Sequence, residues 1–368
     1  MKLEISSQKL KEIIHLVERL AGKQTTLPVL SCILINVKNG NVVLKTTNLD
    51  IGIEISLPVK SEKDGVIAVP ARTFSSFISQ IPEQNQIIYM EEISGNLKIS
   101  SSHSKGVIKT VPNEDFPTIP RVLDGQNCVV QSKLFSKGLS SVSYSASISG
   151  VKPELSSVYV YKNNEDLVFV ATDSFRLAEK IIKINTPTSF GDMMIPLNNV
   201  LNITKILESM SEKVSVTSNK NLISFESGGI YLVSRLIDGV FPDYRQIVPK
   251  EFITEAVVLK QDLINALKVA NIFSDKFNQV RFIIKPTAKT FEIFTKNSDV
   301  GENQTSLPAS LSGEPAEINF NHKYMTDCFQ SVESDSVSLR VSGNNRPMII
   351  RPVSGDQTFM YLVMPMNR

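Results

Sequence analysis

Hydrophobic and polar positions repeat one pattern three times along the chain. The segment Lys2–Ile5 alternates between polar and apolar residues, as a strand does. Apolar residues then recur at the spacing of one buried helix face, at Leu10, Ile13, Ile14, Val17 and Leu20. The same succession begins again at Cys128 and at Ala256, at intervals of about 125 residues, far longer than a solenoid repeat. Each repeat is therefore predicted to be a whole domain.

Each repeat contains a second amphipathic helix. It begins after Val69-Pro70, after Ile195-Pro196 and, without a proline, after Asn319-Phe320. Proline suits a helix start, because its missing N–H has no partner there. Short β runs and polar turns fill the remainder, and Asn39-Gly40 is a strong hairpin signal. The pattern predicts an α+β chain of three similar domains, with the ranges 1–125, 126–253 and 254–368.

A polar turn in the middle of the chain joins two apolar strands. Leu167–Val170 precedes Thr172-Asp173-Ser174, and an apolar run containing Ile181 follows. Side-chain oxygens of Thr, Asp and Ser bond nearby backbone N–H groups and turn the chain. Arg176 and Leu177 are predicted to stand just past the turn, at the rim of a sheet. An exposed Leu beside an Arg arises either from an accident of packing or from a docking site, and spacing alone leaves both open.

The composition is that of an ordinary globular protein. Of 368 residues, 42% are hydrophobic and 21% are charged. A net charge of +2 excludes nucleic-acid binding by bulk charge, so any basic surface is local. Cys32, Cys128 and Cys328 lack metal-ligand spacing, and an odd number without a secretory signal predicts a reducing cytoplasm. No stretch approaches the length of an apolar membrane span.

Positive charge is concentrated in the predicted helices, which we place at 8–23, 71–81, 132–144, 197–209, 261–276 and 321–331. These windows hold 11 Lys/Arg and 6 Asp/Glu, whereas the whole chain holds 39 and 37. Lys133, Lys137 and Arg72 have no acidic neighbour in their helices. Solvated helix faces often carry Lys, but repetition on equivalent helices favours one basic surface, for which phosphates are the natural partner. No recognition-helix pattern occurs, so such binding would be indifferent to base sequence.

No catalytic constellation is present in the sequence. His15, His103 and His322 do not pair with Cys or Ser at a nucleophile spacing. No phosphate-binding loop, dinucleotide fingerprint or histidine-based zinc motif occurs. We therefore expect a binding or scaffold protein without metal or cofactor. The alternative from the enzyme class is a hydrolase built from dispersed carboxylates, which a metal requirement or substrate turnover would reveal.

Three segments resemble the bacterial sliding clamp family, the β subunit of DNA polymerase III. They are Ala171–Ala178, Leu236–Arg245 and Tyr361–Met366, and Thr26–Leu30 adds to them. The similarity runs from the first strand to the last few residues. It implies a non-catalytic processivity factor of DNA replication: two chains closed head to tail into a ring of six domains around duplex DNA. The helices would line the inside of the ring and the antiparallel sheets the outside.

The resemblance also implies site residues. A pocket between the second and third domains would receive short apolar peptide motifs of the replicative polymerase, the clamp loader and repair polymerases. Its residues would be Leu155, Thr172, Arg176, Leu177, Pro242, Ile247, Val363, Met364, Pro365 and Met366. The implied DNA contacts, together with the two helix lysines, are Lys23, Gln24, Arg72, Lys133, Lys137 and Lys152. At the dimer seam, Lys105 and Ile108 of one copy would face Ile272, Phe273 and Glu302 of the other.

Several positions depart from the family's usual residues. Ser174-Phe175 replaces Gly-His, and Gln246 replaces a second Arg, which implies a reshaped and more apolar pocket floor. Gly106 replaces a larger apolar residue, which implies a less tightly packed seam. Gln24 replaces an Arg and Leu197-Asn198 replaces a basic pair, which implies a weaker hold on DNA. The second alternative is a monomeric or plasmid-type relative that serves as an interaction platform. The family implies a cytoplasmic, nucleoid-associated location.

Overall fold

The computed structural model describes residues 1–22, 27–82, 86–184 and 191–366. These residues form two compact units. The first holds the described parts of 1–136 and 198–236 together with Gly191, and the second holds those of 137–184, 192–197 and 237–366. Each unit combines α-helices with antiparallel sheets, which confirms the predicted α+β class.

Six α-helices occur in the described residues, each at a predicted amphipathic segment. They are α1 Ser7–Arg19, α2 Ala71–Gln80, α3 Ser132–Val142, α4 Leu197–Ser209, α5 Lys260–Ile272 and α6 His322–Asp327. The predicted stripe of α1 is buried, including Leu10 and Ile14. On α2, Phe74 and Ile78 are buried, and α1 packs against α2. Apolar spacing therefore identified the buried faces of both helices.

The helix starts differ between the repeats. Pro70 is the N-cap of α2, one residue before the helix, and Pro196 ends the strand that precedes α4. In the third repeat, Asn321 Oδ1 accepts hydrogen bonds from the N–H groups of Lys323 and Tyr324, at 3.0 and 3.3 Å. An Asn side chain satisfies these otherwise unpaired N–H groups, so α6 begins without a proline.

The strands fall into three sets that follow the three repeats. The first set is β1 Lys2–Ser6, β2 Cys32–Lys38, β3 Asn41–Thr47, β4 Ile51–Pro58, β5 Lys60–Lys63, β6 Gly65–Pro70, β7 Ile87–Ile93, β8 Asn96–Ser100 and β9 Lys105–Lys109. The second set is β10 Gln126–Gln131, β11 Ser157–Asn163, β12 Asp166–Thr172, β13 Arg176–Lys183, β14 Met193–Pro196, β15 Lys213–Ser218, β16 Leu222–Ser227 and β17 Ile230–Arg235. The third set is β18 Thr254–Leu259, β19 Gln279–Lys285, β20 Thr290–Asn297, β21 Gly301–Ser306, β22 Ala309–Gly313, β23 Ala316–Asn321, β24 Ser336–Val341, β25 Met348–Pro352 and β26 Phe359–Val363.

Strands from successive repeats share sheets. The first unit holds a sheet in the order β5-β1-β7-β8-β9 and another in the order β10-β15-β16-β17-β4-β3-β2-β6. The second unit holds the sheets β14-β11-β12-β13-β26-β25-β24-β18-β22 and β21-β20-β19-β23. The strands of different repeats meet at the antiparallel pairs β4–β17 and β13–β26. Each of these pairs satisfies the backbone hydrogen bonds of two strands that would otherwise lie at the edges of sheets.

The predicted hairpin at the start of the chain is confirmed. Asn39 and Gly40 join β2 to β3 with φ values of +51° and +76°. Positive φ at both central residues suits the right-handed twist of the flanking strands. The order of strand, helix, strands, helix and strands then recurs in all three repeats, as the apolar pattern predicts.

Candidate functional site

The turn between β12 and β13 is held by its own side chains. Thr172 Oγ1 donates to the carbonyl oxygen of Arg176 at 2.7 Å, and the N–H of Ser174 donates to Thr172 Oγ1 at 3.1 Å. The N–H groups of Phe175 and Arg176 donate to Asp173 Oδ1, at 2.9 and 3.0 Å. Ser174 has a φ of +78°, a left-handed conformation that is uncommon outside glycine. The predicted Thr-Asp-Ser turn is confirmed.

Arg176 points into the protein. Its Nε donates to Asp173 Oδ2 at 2.9 Å, and its Nη1 donates to Asp327 Oδ2 at 2.6 Å. The guanidinium carbon lies 4.5 Å from the centre of the Tyr324 ring. Burial opposes the charge, but the two carboxylates outweigh it and raise the pKa of Arg176. The expectation of an Arg exposed at the rim is wrong, because Asp327 covers it from 151 residues further along the chain.

Leu177 lies inside an apolar cluster beside this turn. It is fully buried, so its expected exposure is also wrong. The cluster includes Phe241 and Leu362, and Met364 packs partly buried against it. The N–H of Met364 donates to the carbonyl oxygen of Phe175 at 2.8 Å. Of these two residues, Phe175 is 62% exposed and Met364 is half-buried.

The other predicted pocket residues lie in the same compact unit but differ in exposure. They divide into buried Leu155, Thr172 and Val363, exposed Pro242 and Ile247, and half-buried Pro365 and Met366. The sequence reasoning missed Asp327, since no local pattern marks it as the partner of Arg176. Phe241 could have been found, because it directly precedes Pro242 in the motif on which the resemblance depends.

Aromatic contacts fix the segment that carries Pro242. The rings of Phe241 and Tyr159 stack with centroids 4.7 Å apart. The hydroxyls of Tyr161 and Tyr244 are 2.8 Å apart, and Arg245 Nη2 donates to the Tyr161 hydroxyl at 2.7 Å. Burial, together with Glu179, raises the pKa of Tyr244. This network holds the backbone around Pro242 in one arrangement.

The predicted DNA contacts are not equally available. Arg72, Lys133 and Lys152 are exposed. Lys137 is half-buried, and its Nζ lies 2.6 Å from Glu333 Oε2 and 3.5 Å from Asp356 Oδ2. These carboxylates already neutralise its charge, so Lys137 is a poor candidate for a phosphate contact. Lys23 and Gln24 lie outside the described residues.

The predicted seam residues also differ in exposure. Lys105 and Glu302 are exposed, and Phe273 is half-buried, whereas 65% of Ile272 is exposed. Glu302 is already ion-paired, with Lys296 Nζ 3.3 Å from Glu302 Oε2. Ile108 is buried within its own chain, so it presents no contact surface. Its neighbour on β9, Val107, is 67% exposed and carries the apolar side chain of this edge.

The described residues contain no group of three or more His, Cys, Asp or Glu placed to hold a metal ion. The thiols of Cys32, Cys128 and Cys328 are free and buried, and burial raises the pKa of Cys128 to about 12. His322 Nε2 lies 2.7 Å from the carbonyl oxygen of Leu267. In the described part of the chain, no helix is long and apolar enough to cross a membrane.

Comparison with known proteins accounts for nearly the whole chain. Sequence profiles of the DNA polymerase III beta subunit match in order: the N-terminal domain over 1–120, the central domain over 129–243 and the C-terminal domain over 245–367. The chain belongs to the DNA polymerase III beta subunit family. The predicted family and the predicted three-domain fold are confirmed.

Individual relatives of this family are similar over their full length. The beta sliding clamp of Synechococcus elongatus is 25% identical over 376 residues, covering 100% of this chain and 99% of that protein. The crystal structure of the Bacillus subtilis DNA polymerase sliding clamp superposes with a TM-score of 0.93 at 25% identity, covering 100% and 99%. The crystal structure of the Bartonella birtlesii sliding clamp bound to griselimycin superposes with a TM-score of 0.93 at 26% identity, covering 100% of both chains.

Family membership decides between the functional classes that the sequence left open. Beta subunits are sliding clamps, a family of non-catalytic processivity factors, and the three matching domains span the chain. The prediction of a sliding clamp without catalysis is therefore confirmed. The hydrolase alternative has no support, because the matched residues belong to the three domains of a non-catalytic family.

Proposed function

We propose that two copies of this chain close head to tail into a ring around duplex DNA and tether the replicative polymerase. The observation that carries the proposal is the match of three clamp domains, in order, along the whole chain. The surplus of Lys and Arg in the helix windows supports helices on the DNA side, with sheets outside. A ring holds DNA by topology, so weak contacts suffice and permit sliding.

The mass and shape of the purified protein in solution test the ring. Light scattering should give a mass of about twice 40.8 kDa, and small-angle scattering should give the profile of a hollow ring. A compact particle at the monomer mass would overturn the ring. That result would favour the alternative of a monomeric interaction platform.

We further propose that polymerases and the clamp loader dock short apolar peptide motifs at Met364. Met side chains are flexible and adapt to several partners. The hydrogen bond from Met364 to Phe175 fixes the backbone while leaving both side chains near solvent. The surrounding pocket residues are those implied by the family resemblance, with Arg176 and Leu177 acting from beneath the surface.

Substitution of Met364 tests the pocket. We expect Met364→Ala to weaken binding of a fluorescent peptide with consecutive Leu and Phe residues about tenfold or more, because a hot-spot side chain contributes about 2 kcal/mol. Leu201→Ala, at a 61% exposed apolar residue of α4, is the matched control and should bind normally. Unchanged peptide affinity in Met364→Ala would contradict the placement of the peptide site at Met364. Leu177→Ala is a poor test, since a cavity in the core costs about 2–5 kcal/mol of stability.

The finer details stay predictions. They comprise the domain ranges, the DNA contacts at Arg72, Lys133 and Lys152, and the seam between β9 and the region of Ile272. Binding of repair polymerases and association with the nucleoid follow from the proposed ring.

A further inference from the structure

The turn between β3 and β4 has the same hydrogen bonds as the turn between β12 and β13. Thr47 Oγ1 donates to the carbonyl oxygen of Ile51, and the N–H of Leu49 donates to Thr47 Oγ1, each at 3.0 Å. The N–H groups of Asp50 and Ile51 donate to Asn48 Oδ1, each at 3.0 Å. Leu49 has a φ of +78°, as does its counterpart. Because a left-handed leucine is uncommon, the two turns share a specific construction.

The strand beside each turn is equivalent too. β4 pairs with β17 in the register in which β13 pairs with β26. The N–H of Arg235 donates to the carbonyl oxygen of Asp50 at 2.8 Å, as the N–H of Met364 does to Phe175. Arg235 and Asp50 therefore occupy the positions that Met364 and Phe175 hold at the proposed peptide pocket in the other unit.

A cleft of about 360 Å³ opens beside the β3–β4 turn. Its apolar lining includes Leu49, Pro117, Pro120 and Leu222. Pro117 follows a Phe in the sequence, just as Pro242 does in the second repeat. A volume of this size suits a few side chains of a ligand. The two turns thus have similar backbone frames and different side chains, and the β3–β4 turn borders this cleft.

The side chains of this cleft carry one charge of each sign. Asp50 and Arg235 are both exposed and both line the cleft. Arg235 Nε donates to the carbonyl oxygen of Leu49 at 2.9 Å, which holds the guanidinium against the turn. Among the described residues, neither charged group forms an ion pair. A ligand that carries both signs could pair with both groups, and a guanidinium favours a carboxylate.

We propose that this cleft is a second peptide site. Its occupant is an extended segment of a partner protein, with apolar side chains between a basic and an acidic residue. The basic residue pairs with Asp50, the acidic residue pairs with Arg235, and the apolar side chains contact Leu49 and Leu222. The inference rests on the proposed peptide-binding role of the equivalent turn at Met364. Charge distinguishes the two ligands, because the Met364 site offers no ionised side chain at the corresponding positions.

Methyl NMR on the full chain, labelled at Leu, Val and Ile, tests the proposal. The probes are acetyl-Lys-Leu-Leu-Glu-amide and its reverse, acetyl-Glu-Leu-Leu-Lys-amide, since the structure does not fix the direction of the bound segment. One of the two should shift the methyl signals of Leu49, Leu222 and Val233, which line the cleft. The uncharged acetyl-Gln-Leu-Leu-Gln-amide should bind about a hundredfold more weakly, because it loses two charge-assisted hydrogen bonds that each contribute about tenfold.

Two variants separate this site from the pocket at Met364. Asp50→Asn keeps the shape of an exposed side chain and should weaken the charged probe about tenfold. Met364→Ala should leave its binding unchanged. Equal binding of the uncharged probe, unchanged affinity in Asp50→Asn, or shifts confined to the cluster at Leu177 would each overturn the proposal. Failure of the Met364 pocket would not alter these signals, so the two failures are distinguishable.

Discussion

A methyl group on Gly106 would lie 2.8 Å from Cε2 of Phe77. The ring of Phe77, on α2, therefore occupies the space beside β9 into which a side chain at this position would project. Gly106 stands where the family commonly has a larger apolar residue, and the looser seam between two copies that this implies stays a prediction. Within the chain, Phe77 fills the space that the glycine leaves.

Gly106→Ala should destabilise the protein by about 1 kcal/mol, because the ring must move to admit the methyl group. Gly150→Ala is the matched control, since nothing lies within 4 Å of the added Cβ, and it should change stability by less than about 0.5 kcal/mol. Urea unfolding measures both. The double variant Phe77→Ala with Gly106→Ala should show that the two effects are not additive. Equal midpoints for the two glycine variants would contradict the contact.

Lys180, only 1% exposed, is paired with Asp356 in the second unit. Its Nζ also donates to Thr358 Oγ1 at 2.8 Å. Burial would raise the pKa of Asp356, but hydrogen bonds from Lys180 and Thr358 outweigh it and hold that pKa well below the usual range. A lowered carboxyl pKa adds stability above the unfolded-state value of about 3.9, and this stability is lost as pH falls towards the folded-state value.

Asp356→Asn should therefore lower the free energy of unfolding by about 3 kcal/mol at neutral pH, because it leaves Lys180 buried without its carboxylate. The difference from the unsubstituted chain should shrink as the pH falls below about 4. Glu208→Gln, in an exposed ion pair with Lys205, should have little effect at any pH. Urea titrations at a series of pH values measure all three proteins. A difference that does not depend on pH would refute the role given to the Asp356 charge.

Ser174→Gly should stabilise the chain by about 1 kcal/mol, because glycine adopts the observed φ of +78° without a Cβ clash. Ser174→Ala keeps the Cβ and should give no gain. Both variants preserve the backbone bonds of the turn, since those come from Thr172 and Asp173. Thermal unfolding distinguishes the two variants. The strain assignment fails if alanine stabilises as much as glycine.

Lys133 and Lys137 lie on the same helix, but they should contribute differently to DNA binding. Lys133 is exposed, whereas Lys137 is paired with Glu333 and Asp356. If Lys133 contacts phosphate, Lys133→Ala should reduce the salt slope of log K for a short linear duplex by about 0.9, and Lys137→Ala should not reduce it. Fluorescence anisotropy at several salt concentrations gives the slopes. Equal slopes for the two variants would remove Lys133 from the DNA-contacting surface.

Local patterns in the sequence predicted most of the fold. The apolar spacing around Leu10 located α1 and its buried face, and Asn39-Gly40 located a hairpin. Thr172-Asp173-Ser174 located the turn at the candidate site. These features could be predicted because neighbouring residues alone determine them. The motif around Met364 was likewise local, and the structure places that residue partly exposed beside the turn.

Contacts between distant residues could not be predicted in this way. Whether Arg176 faces solvent depends on Asp327, which approaches from another part of the chain. The availability of Lys137 depends on Glu333 and Asp356 for the same reason. Spacing describes which residues share a face, but it does not reveal what covers that face. The exposure of the candidate site residues was therefore the least predictable property.

The β4–β17 ladder ties the first two repeats together through the backbone. A polypeptide divided between residues 125 and 126 would leave both strands with open N–H and C=O groups, which attract other strands. Repeats produced as separate polypeptides should therefore aggregate or recombine with one another. Although the sequence consists of three repeats, the first two repeats are not separable folding units, because they share this sheet.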